Sequence, residues 1–184
     1  MNETIRLMNS NSDDEPKWFA IRTHQALKAE KLLAPFCDEV FFPKETVKIE
    51  GKKSRVKALI PHVLFIKCTS ERALQIEKES HQLSQVPIPF WIYRYPTDSK
   101  IQIISQRQID LLQLLTTSDS SKCEIFNKTT FHEKDRVRIV GGIYQGYEGY
   151  VQRVHKNRHV VVRIEGVCAV LLPFIHPDLL QTAT

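Results

Sequence analysis

Between Pro61 and Thr69 the chain reads His62-Val63-Leu64-Phe65-Ile66-Lys67-Cys68, with four apolar residues in an unbroken row. A strand with one face in water alternates apolar and polar side chains, whereas an uninterrupted row needs cover on both faces. Residues 62–68 are therefore predicted as a central strand, which demands strands beside it and further layers against it. The chain has the material for this: 42% of its 184 residues are hydrophobic and 26% charged, an ordinary folded balance with room for one or two domains. No run approaches the ~20 apolar residues of a bilayer span, and the first residues lack the basic-then-apolar pattern of a secretory signal. A cytoplasmic protein without membrane contact is expected. Cys37, Cys68, Cys123 and Cys168 lie far apart with no C-x-x-C pair. That spacing argues against a zinc knuckle or a disulfide framework and for reduced, mostly buried thiols.

Around the central strand the periodicity changes several times. Residues 1–16 are polar and acidic, net −3, and read as a loose arm. Trp18-Phe19-Ala20-Ile21 suits a strand, and Ala29, Leu32, Leu33 and Phe36 form one helical stripe that Pro35 should end. Val40-Phe41-Phe42 returns to strand. Val47 and Ile49, then Val56, Ala58 and Ile60, alternate around Glu50-Gly51 as a hairpin would. Ser70 is placed to cap a helix running to about Ser80, Phe90-Trp91-Ile92-Tyr93 reads as a strand, and Ser105 with Gln108 forms a capping-box pattern ahead of Ile109, Leu111, Leu112, Leu114 and Leu115. The predicted order is β-α-β-β-β-α-β-α over residues 17–115. Residues 116–130 break the periodicity and read as a linker. Residues 131–184 follow as short strands at Val137–Ile139, Glu148–Val154, Val160–Ile164 and Val167–Leu172, separated by turn residues at Gly141-Gly142, Lys156-Asn157-Arg158 and Glu165-Gly166. So small an all-β module suggests a closed barrel, since closure removes exposed edges.

The most informative string is Gly142-Ile143-Tyr144-Gln145-Gly146-Tyr147-Glu148-Gly149-Tyr150-Val151, preceded by Asp135-Arg136-Val137-Arg138-Ile139. Its glycines supply positive φ or close backbone approach where one strand turns sharply into the next. The string resembles the KOW motif, here Gly142, Gly146, Glu148 and Gly149, of the small SH3-like barrel found in NusG and its relatives and in some ribosomal proteins. Independently, Trp18-Phe19-Ala20-Ile21-Arg22-Thr23, an amphipathic helix, Phe42-Pro43, a basic hairpin and Leu59-Ile60-Pro61-His62-Val63-Leu64-Phe65-Ile66 follow the order of the NusG N-terminal domain. Residues 163–180, from Arg163-Ile164-Glu165-Gly166 to Leu179-Leu180, look most like the UpxY subgroup, specialised NusG paralogues that antiterminate surface-polysaccharide operons. The resemblance implies an α+β protein: a NusG N-terminal α/β sandwich, an antiparallel sheet with helices, followed by the KOW barrel.

In that family the N-terminal domain docks on the RNA polymerase clamp and touches the upstream fork of the transcription bubble. The resemblance carries polymerase contact to Phe65, Val63, Arg22 and Pro61, with Phe65 foremost; against it stands plain core packing of an apolar residue on a central strand. His62, where relatives often carry Gly, Asn or Ser, and Val63, in place of the usual Tyr, depart from the family pattern. His24, Lys28 and Lys31 fall where relatives contact non-template DNA. The hairpin holds Lys48, Lys52, Lys53, Arg55 and Lys57 against the single acid Glu50, a set suited to a phosphate backbone, or equally to a solvated tip that deters aggregation. Residues 17–115 carry net +6 and residues 131–184 net +2, a moderate excess that favours polyanions.

No catalytic signature or cofactor motif occurs. His155 and His159 have metal-like spacing but no third ligand nearby, and an exposed turn is the favoured reading; no metal is expected. The implied function is antitermination and processive elongation, with non-template DNA or nascent RNA as the contacted strand and a small-subunit ribosomal protein or Rho as partner of the barrel. The linker would hold that barrel at about millimolar effective concentration. Two alternatives stand beside this: a general NusG factor acting on pausing and Rho-dependent termination, and an RNA- or ribosome-binding KOW protein. An enzyme is a distant third.

Overall fold

The computed structural model describes residues 15–47, 55–83, 87–117, 124–126, 135–154, 157–164 and 166–183. Residues 1–14 of the predicted acidic arm, the tip of the basic hairpin with Lys48, Lys52 and Lys53, and His155 lie outside these residues. The chain divides into two compact units, one drawn from Met1–Pro43 and Pro61–Ile109, the other from Lys44–Ile60 and Asp110–Thr184.

In the first unit, strand β1 (Lys17–Arg22) pairs antiparallel along its whole length with β5 (Val63–Cys68), from Lys17 opposite Cys68 to Arg22 opposite Val63. β2 (Glu39–Phe41) joins the other side of β5, while β6 (Trp91–Ile92) and β7 (Ile103–Ile104) both pair with β1. The sheet order is thus β2-β5-β1-β6, and β5 is internal as its unbroken apolar row requires. Val63, Leu64, Phe65 and Ile66 are all buried, as are Trp18, Phe19, Ala20 and Ile21 on the neighbouring β1. Trp18 keeps its one polar atom satisfied, donating Nε1–H to Gln106 Oε1 at 2.8 Å.

Helix α1 (Ala26–Leu33) buries Ala26, Ala29 and Leu33 and passes at Pro35 into a single 3-10 turn, Ala34–Phe36, so proline ends the helix as expected. Helix α2 (Ser70–Glu79) buries Ala73 and Ile76. Its cap is Thr69, whose Oγ1 accepts from the Arg72 amide at 3.2 Å; Ser70, the expected cap, is the first helical residue. Either hydroxyl fits the cap chemistry, and the extended backbone at Thr69 decides it. Helix α3 (Gln106–Thr117) opens on a reciprocal capping box: the Gln108 amide donates to Ser105 Oγ at 3.3 Å and the Ser105 amide to Gln108 Oε1 at 3.0 Å.

The second unit contains a two-stranded ladder and a six-stranded sheet. β3 (Lys44–Val47) and β4 (Arg55–Ala58) pair from Lys44 opposite Ala58 to Val47 opposite Arg55. Among the described residues this ladder joins no other sheet. Four strands, not three, separate the first two helices, and β7 is a further short strand before α3.

The larger sheet runs β13-β9-β10-β11-β12-β8, where β8 is Glu124–Phe126, β9 Asp135–Ile139, β10 Glu148–Val154, β11 Asn157–Ile164, β12 Cys168–Leu171 and β13 Leu180–Thr182. The four expected strands form the central antiparallel meander. The two flanking ones were not anticipated: β8 falls inside the supposed linker and pairs with β12, and β13 returns to β9. Both cover an edge that the meander alone would expose. Val160, Val161, Val162, Ile164 and Cys168 to Leu172 are buried in this unit. Among the described residues no helix is long and apolar enough to cross a membrane.

Candidate functional site

At the end of the first sheet where β1 leaves and β5 begins, the backbone is pinned. The Thr23 amide donates to the His62 carbonyl at 2.8 Å, Thr23 itself is buried, and its Oγ1 accepts from the Gln25 amide at 3.3 Å. This fixes the direction in which His24 leaves the strand. His62 holds a left-handed backbone (φ 65°), a conformation costing an L-residue about 1 to 2 kcal/mol. That is the geometry met most cheaply by Gly or Asn.

The two imidazoles meet edge to face with ring centroids 5.0 Å apart, and the His24 ring meets the indole of Trp91 in the same way at 6.5 Å. Trp91 sits opposite Arg22 in the β1–β6 register and is 51% exposed, far more than a packed indole would be. Arg22, His24, Pro61 and His62 are exposed as well. Exposed aromatic faces beside cations are what a base and its phosphate need, because every base has a π-face and every nucleotide a charge. Lys28 and Lys31 stand on the exposed side of α1, with exposed Leu27 beside them.

The sequence-predicted residues thus separate into two groups. Arg22, Pro61, His24, Lys28 and Lys31 are exposed on the first unit, and Arg22, His24 and Pro61 flank one end of the sheet. Phe65 and Val63 are not on the surface: Phe65 is 0% and Val63 3% exposed. The Phe65 ring stacks against Phe41 at 6.1 Å, its cross-strand partner on β2, and core packing accounts for it. The expectation of a displayed Phe65 is corrected accordingly. On the hairpin, Arg55 is exposed and Lys57 Nζ pairs with Glu45 at 3.2 Å. His62 and Trp91 were not singled out as contacts by sequence reasoning, because only the strand register brings Trp91 to Arg22 and His24.

In the second unit, Gly142 and Gly146 have φ of 79° and 83°, and the Gly146 amide donates to the Ile139 carbonyl at 2.6 Å to close the turn between β9 and β10. Gly149 serves close approach instead: a Cβ there would lie 2.5 Å from the Val161 carbonyl oxygen. Glu148 accepts from Arg136 Nη2 at 2.9 Å and from Arg138 Nε at 2.9 Å, and these bonds, Arg138 first, hold its carboxyl below the usual range. Its carboxylate ties β10 to β9. His159 Nδ1 lies 3.1 Å from the Leu172 carbonyl oxygen, which can only accept, so this nitrogen carries a proton and is not free to bind a metal. Among the described residues no group of three potential metal ligands occurs.

No family model matches the chain, and no curated protein matches it. Among solved structures the chain is similar to Thermotoga maritima NusG, from a study of its domain interaction, with 13% identity over 92% of this chain and 98% of that one and a TM-score of 0.47. It is similar also to the MjSpt4:Spt5 complex in conformation B, with 14% identity over 91% of this chain and 97% of that one and a TM-score of 0.31.

Proposed function

We propose that this protein is a NusG-like transcription elongation and antitermination factor, a binding protein and not an enzyme, whose first unit rides on RNA polymerase and touches a displaced or nascent strand. The observation that carries the reading is the exposed cluster of His24, His62 and Trp91 flanked by Arg22, a surface suited to stacked bases and phosphates. The KOW-type string, with Gly142 and Gly146 at positive φ and Gly149 in close approach, supports it from the second unit. Action on a surface-polysaccharide operon rests on the UpxY-like residues 163–180. A small-subunit ribosomal protein or Rho is the corresponding partner of the second unit.

The test is capture of reconstituted elongation complexes by the wild-type chain and by Arg22→Glu combined with Trp91→Ala, with circular dichroism confirming the fold. The reading expects wild type to bind and the folded variant to lose retention. Failure of folded wild type to bind at low salt and at physiological salt would overturn it. Operon selectivity is read separately, by readthrough on templates with and without a polysaccharide-operon leader.

One observation favours a second reading, an RNA- or ribosome-binding KOW protein. Arg153 and Arg158 stand directly opposite each other in the β10–β11 register and both are exposed. Like charges so placed repel unless an anion lies between them. That reading predicts RNA affinity lost in Arg153→Glu and kept in the Arg22→Glu, Trp91→Ala variant.

A further inference from the structure

The remaining reactive chemistry of the described residues is concentrated at the opposite end of β5. Cys68 closes that strand, and Cys37 sits between the 3-10 turn and β2. The Asp38 amide donates to the Lys67 carbonyl at 2.9 Å, which holds the chain entering β2 against the end of β5 and brings Cys37 and Cys68 to the same place although thirty residues separate them in the chain. Both line an open cleft of about 290 Å³ together with Asp38, Thr69 and Arg72.

Two packed cysteines need not react, but the surroundings of this pair are those of a reactive one. Cys37 is half-buried and reachable from the cleft, whereas Cys168 is fully buried and its thiol is pushed up to about 12 by burial alone. The Arg72 guanidinium is held beside the pair by donating Nε–H to the Phe36 carbonyl at 3.3 Å and Nη1–H to Gln75 Oε1 at 2.8 Å, and it lies 5.4 Å over the Phe36 ring. The neighbouring Cys68 thiol, with the charge of Arg72, holds Cys37 below the ordinary thiol range against burial and the nearby Asp38; Cys68 itself is pushed up. The arrangement supplies a nucleophilic sulfur, a second thiol in the same cleft, and access for a small oxidant.

We propose that Cys37 and Cys68 form an oxidisable dithiol, a modification site that reduces a hydroperoxide and closes an intramolecular disulfide. The Cys37 thiolate attacks the terminal peroxide oxygen. The O–O bond breaks, Cys37 becomes a sulfenic acid, and the leaving oxygen takes up a proton as water or alcohol. The Cys68 sulfur then displaces hydroxide from Cys37; the S–S bond forms, and the Cys68 proton leaves with the hydroxide as water. Two electrons pass from the two thiols to the peroxide.

The experiment treats the full chain with hydrogen peroxide at neutral pH and follows intact mass and peptide maps, alongside iodoacetamide labelling of the untreated protein. Expected are loss of two hydrogens, a Cys37–Cys68 crosslinked peptide, and alkylation of Cys37 about tenfold faster than of glutathione under the same conditions. Cys68→Ser should leave Cys37 as a sulfenic acid trapped by dimedone, and Cys37→Ser should abolish the crosslink. The proposal is overturned if Cys37 in the wild-type chain alkylates no faster than glutathione, or if peroxide leaves the pair reduced or links either cysteine chiefly to Cys123 or Cys168. The wild-type measurements decide the matter even if a variant fails to fold.

Discussion

Arg94 grips Glu77 through both carboxylate oxygens, Nη1 to Oε1 at 3.0 Å and Nη2 to Oε2 at 2.6 Å, while the Ile92 amide donates to the same Oε1 at 2.8 Å. The carboxylate thereby fastens α2 to the segment that carries Trp91. Burial raises the pKa of Glu77, but the bonds from Arg94 and Ile92 outweigh it and the net direction is down. A depressed carboxyl contributes stability that is present above its unfolded value, near 4.5, and lost as pH falls through its folded value. Glu77→Ala should therefore cost about 1 to 2 kcal/mol in urea unfolding at pH 7, after allowance for the partly exposed Arg94. The difference from wild type should shrink as pH falls below the unfolded value.

Two glycines of the KOW-like string separate backbone strain from lack of space. Gly142→Ala meets no atom within 4 Å and should cost about 1 kcal/mol for its positive φ. Gly149→Ala forces a methyl against the Val161 carbonyl and Val160 Cγ1 and should cost about 3 kcal/mol. Equal costs in parallel urea melts would contradict these different roles.

Phe65→Ala should destabilise the protein by about 3 to 5 kcal/mol, the range for truncating a fully buried aromatic side chain. A folded variant of wild-type stability would mean that Phe65 is not a core residue.

His62→Gly should move two properties in opposite directions. Removing a side chain from a left-handed backbone should leave thermal stability equal to wild type or higher by up to about 1 kcal/mol. Removing the imidazole that packs edge-on against His24 should weaken binding to single-stranded nucleic acid, measured by fluorescence anisotropy.

Charge on α1 is tested by Lys28→Gln with Lys31→Gln. If both side chains neutralise phosphates, the slope of log affinity against log salt on single strands should fall by about 0.7 for each, with circular dichroism unchanged. An unaltered slope would take α1 out of the interface.

Much of the local structure was legible in the sequence, because local rules act over three or four residues. Ser105 and Gln108 close their capping box, Pro35 ends α1, and the unbroken row from Val63 to Ile66 is internal. Thr69 in place of Ser70 is a miss of one residue between two equivalent hydroxyls. The larger misses are matters of pairing between distant segments. Nothing within Glu124–Phe126 tells of Leu171, and nothing within Leu180–Thr182 tells of Ile139, so β8 and β13 carry too few residues to show a period of their own. For the same reason nothing in the sequence joins His24 to Trp91, or Cys37 to Cys68. A buried row likewise does not say whether a residue such as Phe65 is seen from outside.

The strand β8 has a practical consequence for anyone dissecting the chain. A fragment begun at residue 131, where the sequence turns to short strands, would leave behind the segment that pairs with Ala169, Val170 and Leu171. Those residues, apolar and buried in the intact protein, would then face solvent with an unfilled row of amides and carbonyls. Such a fragment is poised to recruit a second molecule in place of its own missing strand. Dimers or aggregates seen with it would report where the cut was made and not how the protein assembles.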